Sequence, residues 1–143
     1  MKPVLSGTRF PDPPALAGIY VAQPVRMEPV PVSRDPRYIA TCARVNCRNV
    51  KVGKARNLAS RRRDYVRDFG QDNISFYPLL ATEESGRAES LILHGLKAYR
   101  MRSPKGGLMD WLSGVSMEAV MAAVFSTLDE AGIPYKPLVD CKV

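Results

Sequence analysis

The chain has 143 residues, 45% of them hydrophobic, with 21 Lys or Arg against 14 Asp or Glu and a net charge of +7. That length allows one ordinary domain with a tail and excludes a second catalytic domain. The charge is local: Arg44 to Arg67 holds nine basic residues against Asp64, a segment of +8, so the rest sums to −1. One concentrated basic patch on a neutral body points to a phosphate-bearing partner, with a solvated basic face as the bland alternative.

Cysteine is sparse, at Cys42, Cys47 and Cys141. An odd count without disulfide-framework spacing indicates a reducing, cytoplasmic setting. A structural zinc site is not expected, because it needs about four ligands and His94 is the sole histidine. No apolar run has signal-peptide or membrane-spanning length, so the expected protein is soluble, intracellular and without a membrane partner.

Residues 1–36 carry eight of the twelve prolines. Each removes a backbone donor and fixes φ, so this stretch reads as an arm available to a protein partner. Its best-ordered piece is Leu16 to Ala22, expected to pack on the domain or add an edge strand.

From Arg37 the pattern changes. Tyr38 to Ala43 has strand composition, Val45 to Asn49 supplies a polar turn and Val50 to Gly53 resumes the strand, which predicts an antiparallel hairpin. Asn57 is a good N-cap for a helix over Leu58 to Asp68 with Gly70 as its stop, its apolar side formed by Leu58, Tyr65, Val66 and Phe69. Asn73 to Ala81 reads as a strand kept near an edge by Pro78. Thr82 is the expected cap of a second helix with Ala88, Leu91, Ile92, Leu96 and Tyr99 as its core stripe and Glu89 beside it. Arg100 to Gly107 reads as a basic loop, and Leu108 to Leu112 as a docking segment. Ser116 caps a last helix with Met117, Val120, Met121, Val124 and Leu128 inward, closed by Gly132 and Pro134.

The order strand, turn, strand, helix, strand, helix, with Lys51-Val52-Gly53 on the second strand and Gly53-Lys54-Ala55-Arg56-Asn57-Leu58 as the following turn, resembles the GIY-YIG nuclease superfamily. Tyr38 takes the place of the first-strand tyrosine, Arg61 that of the helix arginine and Glu89 that of the glutamate in a later helix. Tyr65 falls where the family often has a histidine. The resemblance spans roughly residues 37–112 and rests on motif order, with thirteen residues from Tyr38 to Lys51 and ten from Lys51 to Arg61. Lys51 stands in place of the second tyrosine, as in the branch with Lys-Ile-Gly, and Asp110-Trp111 is similar to the acidic-Trp pair of that branch. No asparagine follows Glu89 at the family distance. A literal Gly18-Ile19-Tyr20 lies in the arm and is set aside, because more than thirty residues and a second strand-like segment separate it from Lys51-Val52-Gly53. The other assignment puts Tyr20 in place of Tyr38.

The resemblance implies an α+β fold: a small three-stranded, mainly antiparallel sheet flanked by helices, with a Pro-rich arm (1–36), a nuclease-like core (37–115) and an added C-terminal helix and tail (116–143). It implies a divalent-metal-dependent endonuclease acting on DNA, with RNA as the other substrate. Tyr38 is then the general base, assisted by Lys51 and Tyr65, Arg61 the phosphate clamp, and Glu89 the single ligand of Mg²⁺ or Mn²⁺. Positive charge near the tyrosine is required, since a free phenol has a pKa of about 10. Lys54, Arg56, Arg62, Arg63, Arg44 and Arg48 are the expected nucleic-acid contacts. One compact site cuts one strand at a time, so double-strand cleavage calls for a homodimer or two successive events. A non-catalytic nucleic-acid-binding module on the same fold and a protein-interaction domain are the competing readings.

Overall fold

The computed structural model describes residues 13–138; Cys141 and the prolines at 3 and 11 lie outside them. The elements are β1 (Gly18–Pro24), β2 (Val30–Pro31), β3 (Arg44–Val45), β4 (Asn49–Ala55), α1 (Leu58–Phe69), β5 (Ile74–Ala81) and α2 (Ser85–Gly95), then β6 (Arg100–Arg102), β7 (Leu108–Ser113), α3 (Met117–Ala131) and β8 (Lys136–Pro137). The fold is α+β. Its main sheet has six strands rather than the expected three, in the order β6-β7-β4-β1-β5-β8, and every pairing in it is antiparallel.

The largest correction concerns β1. Gly18–Pro24, expected in the arm or at an edge, is an inner strand paired with β4 on one side and β5 on the other. The run GIYVA explains this: its side chains are buried on both faces, as a strand covered by helices on each side requires. Alternation then divides the core. Ile19 and Val21 join Val50, Val52, Leu79 and Leu80 beneath α2 and α3, where Ile92, Val124 and Leu128 are fully buried. Tyr20 and Ala22 face the other way, onto Leu58 and Tyr65 of α1 with Ile74 and Phe76 of β5. Truncating a buried residue such as Ile92 to alanine costs about 2–5 kcal/mol.

The expected hairpin of Tyr38 to Ala43 with Val50 to Gly53 does not form. Asp35 Oδ1 accepts the Arg37 amide at 2.9 Å, and Pro36 fixes φ just after it, which together start a turn. The amides of Ile39 and Cys42 then bond back to the carbonyls of Asp35 and Tyr38. Strand composition is overridden here by this local side-chain bond. The polar turn before β4 is present, closed by Asn49 Oδ1 on the Asn46 amide at 2.9 Å, but β3 on its far side pairs with β2 instead of β4.

The helix ends follow their caps. Asn57 accepts the Ser60 amide at 3.0 Å, Gly70 ends α1 at φ 93°, and Ser116 accepts the Ala119 amide at 3.1 Å. Thr82 is not the direct N-cap of α2, which is Glu84; its hydroxyl accepts the Glu84 amide and donates to the Pro134 carbonyl. Tyr99 leaves the expected core stripe, sitting 41% exposed in a short 3-10 turn. The expected basic loop and docking segment instead supply β6 and β7, paired with each other and, through β7, with β4. Pro78 is accommodated by a register shift in the β1 and β5 ladder beside Tyr20. No helix among the described residues is long and apolar enough to cross a membrane.

Candidate active site

Three elements converge on Tyr20. On β1 it stands opposite Gly53 of β4, and its ring stacks on Phe76 with centroids 4.7 Å apart. A Cβ at position 53 would overlap the Tyr20 hydroxyl and ring carbons, so only glycine lets the ring lie across the strand. From α1 the Tyr65 hydroxyl hydrogen-bonds the Tyr20 hydroxyl at 2.9 Å, and Arg61 Nη1 donates to the same oxygen at 3.3 Å. Arg61 and Tyr65 are four residues apart on the helix, which is why both reach one point.

Lys51 approaches from β4, where it is paired with Trp111 of β7. Its ammonium lies 3.3 Å from Asp110 Oδ2, 5.7 Å from the centre of the Tyr65 ring and 6.0 Å from that of Trp111. The side chain is 19% exposed, so the charge sits in an aromatic collar closed by one carboxylate. β7 pairs with β4 only at Asn49, Val50 and Lys51, which leaves that edge of β4 open beyond Lys51. Glu89 of α2 enters there, and its Oε2 accepts the Lys54 amide at 3.1 Å.

Two hollows share Arg61 and Asp64 in their linings. One, of about 410 Å³, is lined by Lys54, Arg56, Asn57, Ser60, Arg61 and Ser85, together with Ala55 and Asp64. The other, of about 250 Å³, includes Val32, Lys51, Arg61, Tyr65 and Trp111. Arg61 is restrained loosely, its Nε 3.8 Å from Asp64 Oδ2 with both side chains more than a third exposed, so an incoming phosphate can replace that partner.

Burial raises the pKa of Tyr20, and Tyr65 beside it raises it further; Lys51 and Arg61 pull it down but do not prevail. Burial also raises Tyr65, against the lowering effect of its bond to Tyr20. Burial thus outweighs the neighbouring cations at Tyr20, and both phenols are shifted upward from the ordinary tyrosine value.

Of the expected site residues, the structure gathers Arg61 and Tyr65 on one oxygen, sets Lys51 against the Tyr65 ring and brings Glu89 to the residue after Gly53. Tyr38 does not join them. It is 51% exposed in the turn after Pro36, its ring against the Arg37 guanidinium at 5.2 Å. Tyr20 takes the central position. Its signal is the literal Gly-Ile-Tyr, and residues 25–48 form an insertion between the two paired strands β1 and β4. Lys54 and Arg56 line the first hollow, Arg62 is half-buried and Arg63 exposed on α1, and Arg44 and Arg48 are exposed on the insertion. His94, the sole histidine, is exposed at the end of α2.

As a site for a divalent ion, the donor set is small. No group of three His, Cys, Asp or Glu side chains occurs among the described residues. Glu89 Oε1 has no protein partner among the described residues, while Oε2 is anchored to a backbone amide. One anchored carboxylate fits Mg²⁺, which keeps several waters and binds through one or two carboxylates plus substrate phosphate.

Comparison with protein-family models, curated proteins and solved structures gives no match to this chain.

Proposed function

We propose that the chain is a divalent-metal-dependent endonuclease of the GIY-YIG type acting on DNA, with Tyr20 in the role first expected of Tyr38. The observation that carries this reading is the bonding of one buried hydroxyl, Tyr20, to Tyr65 and Arg61 directly across from Gly53. Tyr65 alone satisfies the buried hydroxyl, and Arg61 adds to it a cation that is still partly open to solvent. Phosphodiester hydrolysis requires charge on the phosphate to be neutralised and a proton to be taken from water.

In this reading Arg61 holds the non-bridging oxygens in the forked geometry a guanidinium allows. Lys51 adds charge from the neighbouring strand once phosphate competes with Asp110. Tyr20 first gives its own proton to solvent and then, as the phenolate, takes the proton from the attacking water, while Tyr65 orients its oxygen. Glu89 is the residue that holds Mg²⁺ or Mn²⁺, which when bound supplies further neutralisation of the phosphate. Lys54 and Arg56 extend the basic surface along the first hollow.

A nucleic-acid-binding module without turnover is the second reading, favoured by the burial that holds Tyr20 in its neutral form. A plasmid-nicking assay with Mg²⁺ or Mn²⁺ separates the two. Nicking by the wild type that drops by roughly 10²-fold or more in both Arg61→Ala and Glu89→Ala supports the nuclease. Salt-dependent binding with no nicking on any DNA or RNA tried supports the module.

A further inference from the structure

We infer that the insertion between β1 and β4, residues 25–48, is a binding wall for an unpaired nucleic-acid strand, with Tyr38 as its stacking platform. The inference rests on the nucleic-acid reading of the neighbouring site and adds the form of nucleic acid that this protein selects.

The insertion holds five arginines, at 26, 34, 37, 44 and 48, against two acids, Glu28 and Asp35. All five arginines are exposed. Of the five exposed large apolar side chains among the described residues, three lie here: Val25, Met27 and Tyr38. Exposed aromatic surface interleaved with cations is the composition that binds single strands, where bases stack on rings and phosphates meet guanidinium groups. A blunt duplex keeps its bases stacked on one another and has little use for such a ring.

The wall is fixed to the body. The Val25 amide bonds the Asn73 carbonyl and Gln23 Nε2 reaches the Cys47 carbonyl at 2.9 Å, while the Cys47 amide bonds the Arg26 carbonyl to tie the two ends of the insertion together. Tyr38 itself is presented on a braced turn. Arg37 lies against its ring and is held by both Asp35 oxygens, at 3.2 and 2.8 Å. A platform ordered in advance loses less freedom on binding than a mobile loop would. The wall also adjoins the site, because Val32 lines the same hollow as Lys51, Arg61 and Tyr65. A strand lying on the insertion is thereby led to the tyrosine pair.

The test is fluorescence anisotropy with the full chain and no divalent ion, comparing a labelled single strand with a blunt duplex of the same length. Tyr38→Ala should weaken single-strand binding by roughly tenfold, several times more than it weakens duplex binding, and Tyr38→Phe should retain most of the affinity. Arg34→Ala and Arg44→Ala should each lower the salt slope on the single strand by roughly 0.7. Wild-type protein that fails to bind the single strand, Tyr38→Ala that binds it as the wild type does, or an equal loss on both probes overturns the inference. Cleavage plays no part in the readout. A protein that binds in this pattern and never nicks leaves the wall standing and removes the nuclease; one that nicks while Tyr38→Ala binds normally removes the wall alone.

Discussion

Gly53 stands directly opposite Tyr20 across the β1 and β4 pairing, and the Tyr20 ring fills the space a side chain at position 53 would need. The missing side chain at Gly53 lets the tyrosine ring come close to the strand. Gly53→Ala should therefore displace Tyr20 and destabilise the protein by about 1–3 kcal/mol, as overpacking does. At Gly95 nothing lies within 4 Å of an added carbon, so Gly95→Ala should not destabilise. Thermal unfolding of the two variants checks the contrast.

Tyr20 and Tyr38 make opposite predictions for the loss of a hydroxyl. Tyr20→Phe should lower nicking by roughly 10²-fold or more, the scale of a lost proton acceptor, a far larger drop than in Tyr38→Phe. The reverse order in a nicking time course would return the catalytic role to Tyr38.

Because burial raises the Tyr20 pKa, the phenolate is scarce near neutrality. Nicking should then rise nearly tenfold per pH unit between about pH 7 and 9 without a plateau, since the unperturbed phenol already lies at about 10. A flat profile over that range would exclude Tyr20 as the base.

The same shift bears on stability, with a definite sign. A folded-state pKa above the unfolded value means that the unfolded chain gives up its proton first as pH rises. The contribution of Tyr20 is fully present below about pH 10 and is lost above it; Tyr65, raised by burial as well, acts in the same direction. Denaturant midpoints should fall above about pH 10, less steeply in Tyr20→Phe.

Lys51 is paired with Asp110 at 3.3 Å in the resting protein. Asp110→Asn should free the ammonium for phosphate and tighten nucleic-acid binding by up to about fivefold, the scale of a partly exposed ion pair. Lys51→Met should weaken binding and lower the salt slope by about one on duplex DNA. Titrations at several salt concentrations measure both.

Local signals carried much of this protein. Asn57 and Ser116 cap helices where the sequence places them, Gly70 and Gly132 stop them, and the apolar spacing of Ile92, Val124 and Leu128 predicts the faces that are buried. These features depend on residues a few positions apart, so the chain alone determines them. The basic segment from Arg44 to Arg67 is legible from composition alone, and the shared direction of Arg61 and Tyr65 from their helical spacing.

Strand pairing was not legible. Tyr38 to Ala43 and Gly18 to Ala22 have equally good strand composition, and what separates them is a side-chain bond from Asp35 in one case and helices on both faces in the other. Which strand lies against Lys51-Val52-Gly53 depends on contacts 29 to 33 residues apart, and loop closure costs only slightly more as a loop lengthens, so a long insertion does not forbid a pairing. Only the tertiary structure could put Tyr20, and not Tyr38, opposite Gly53, because that placement rests on the space above the glycine.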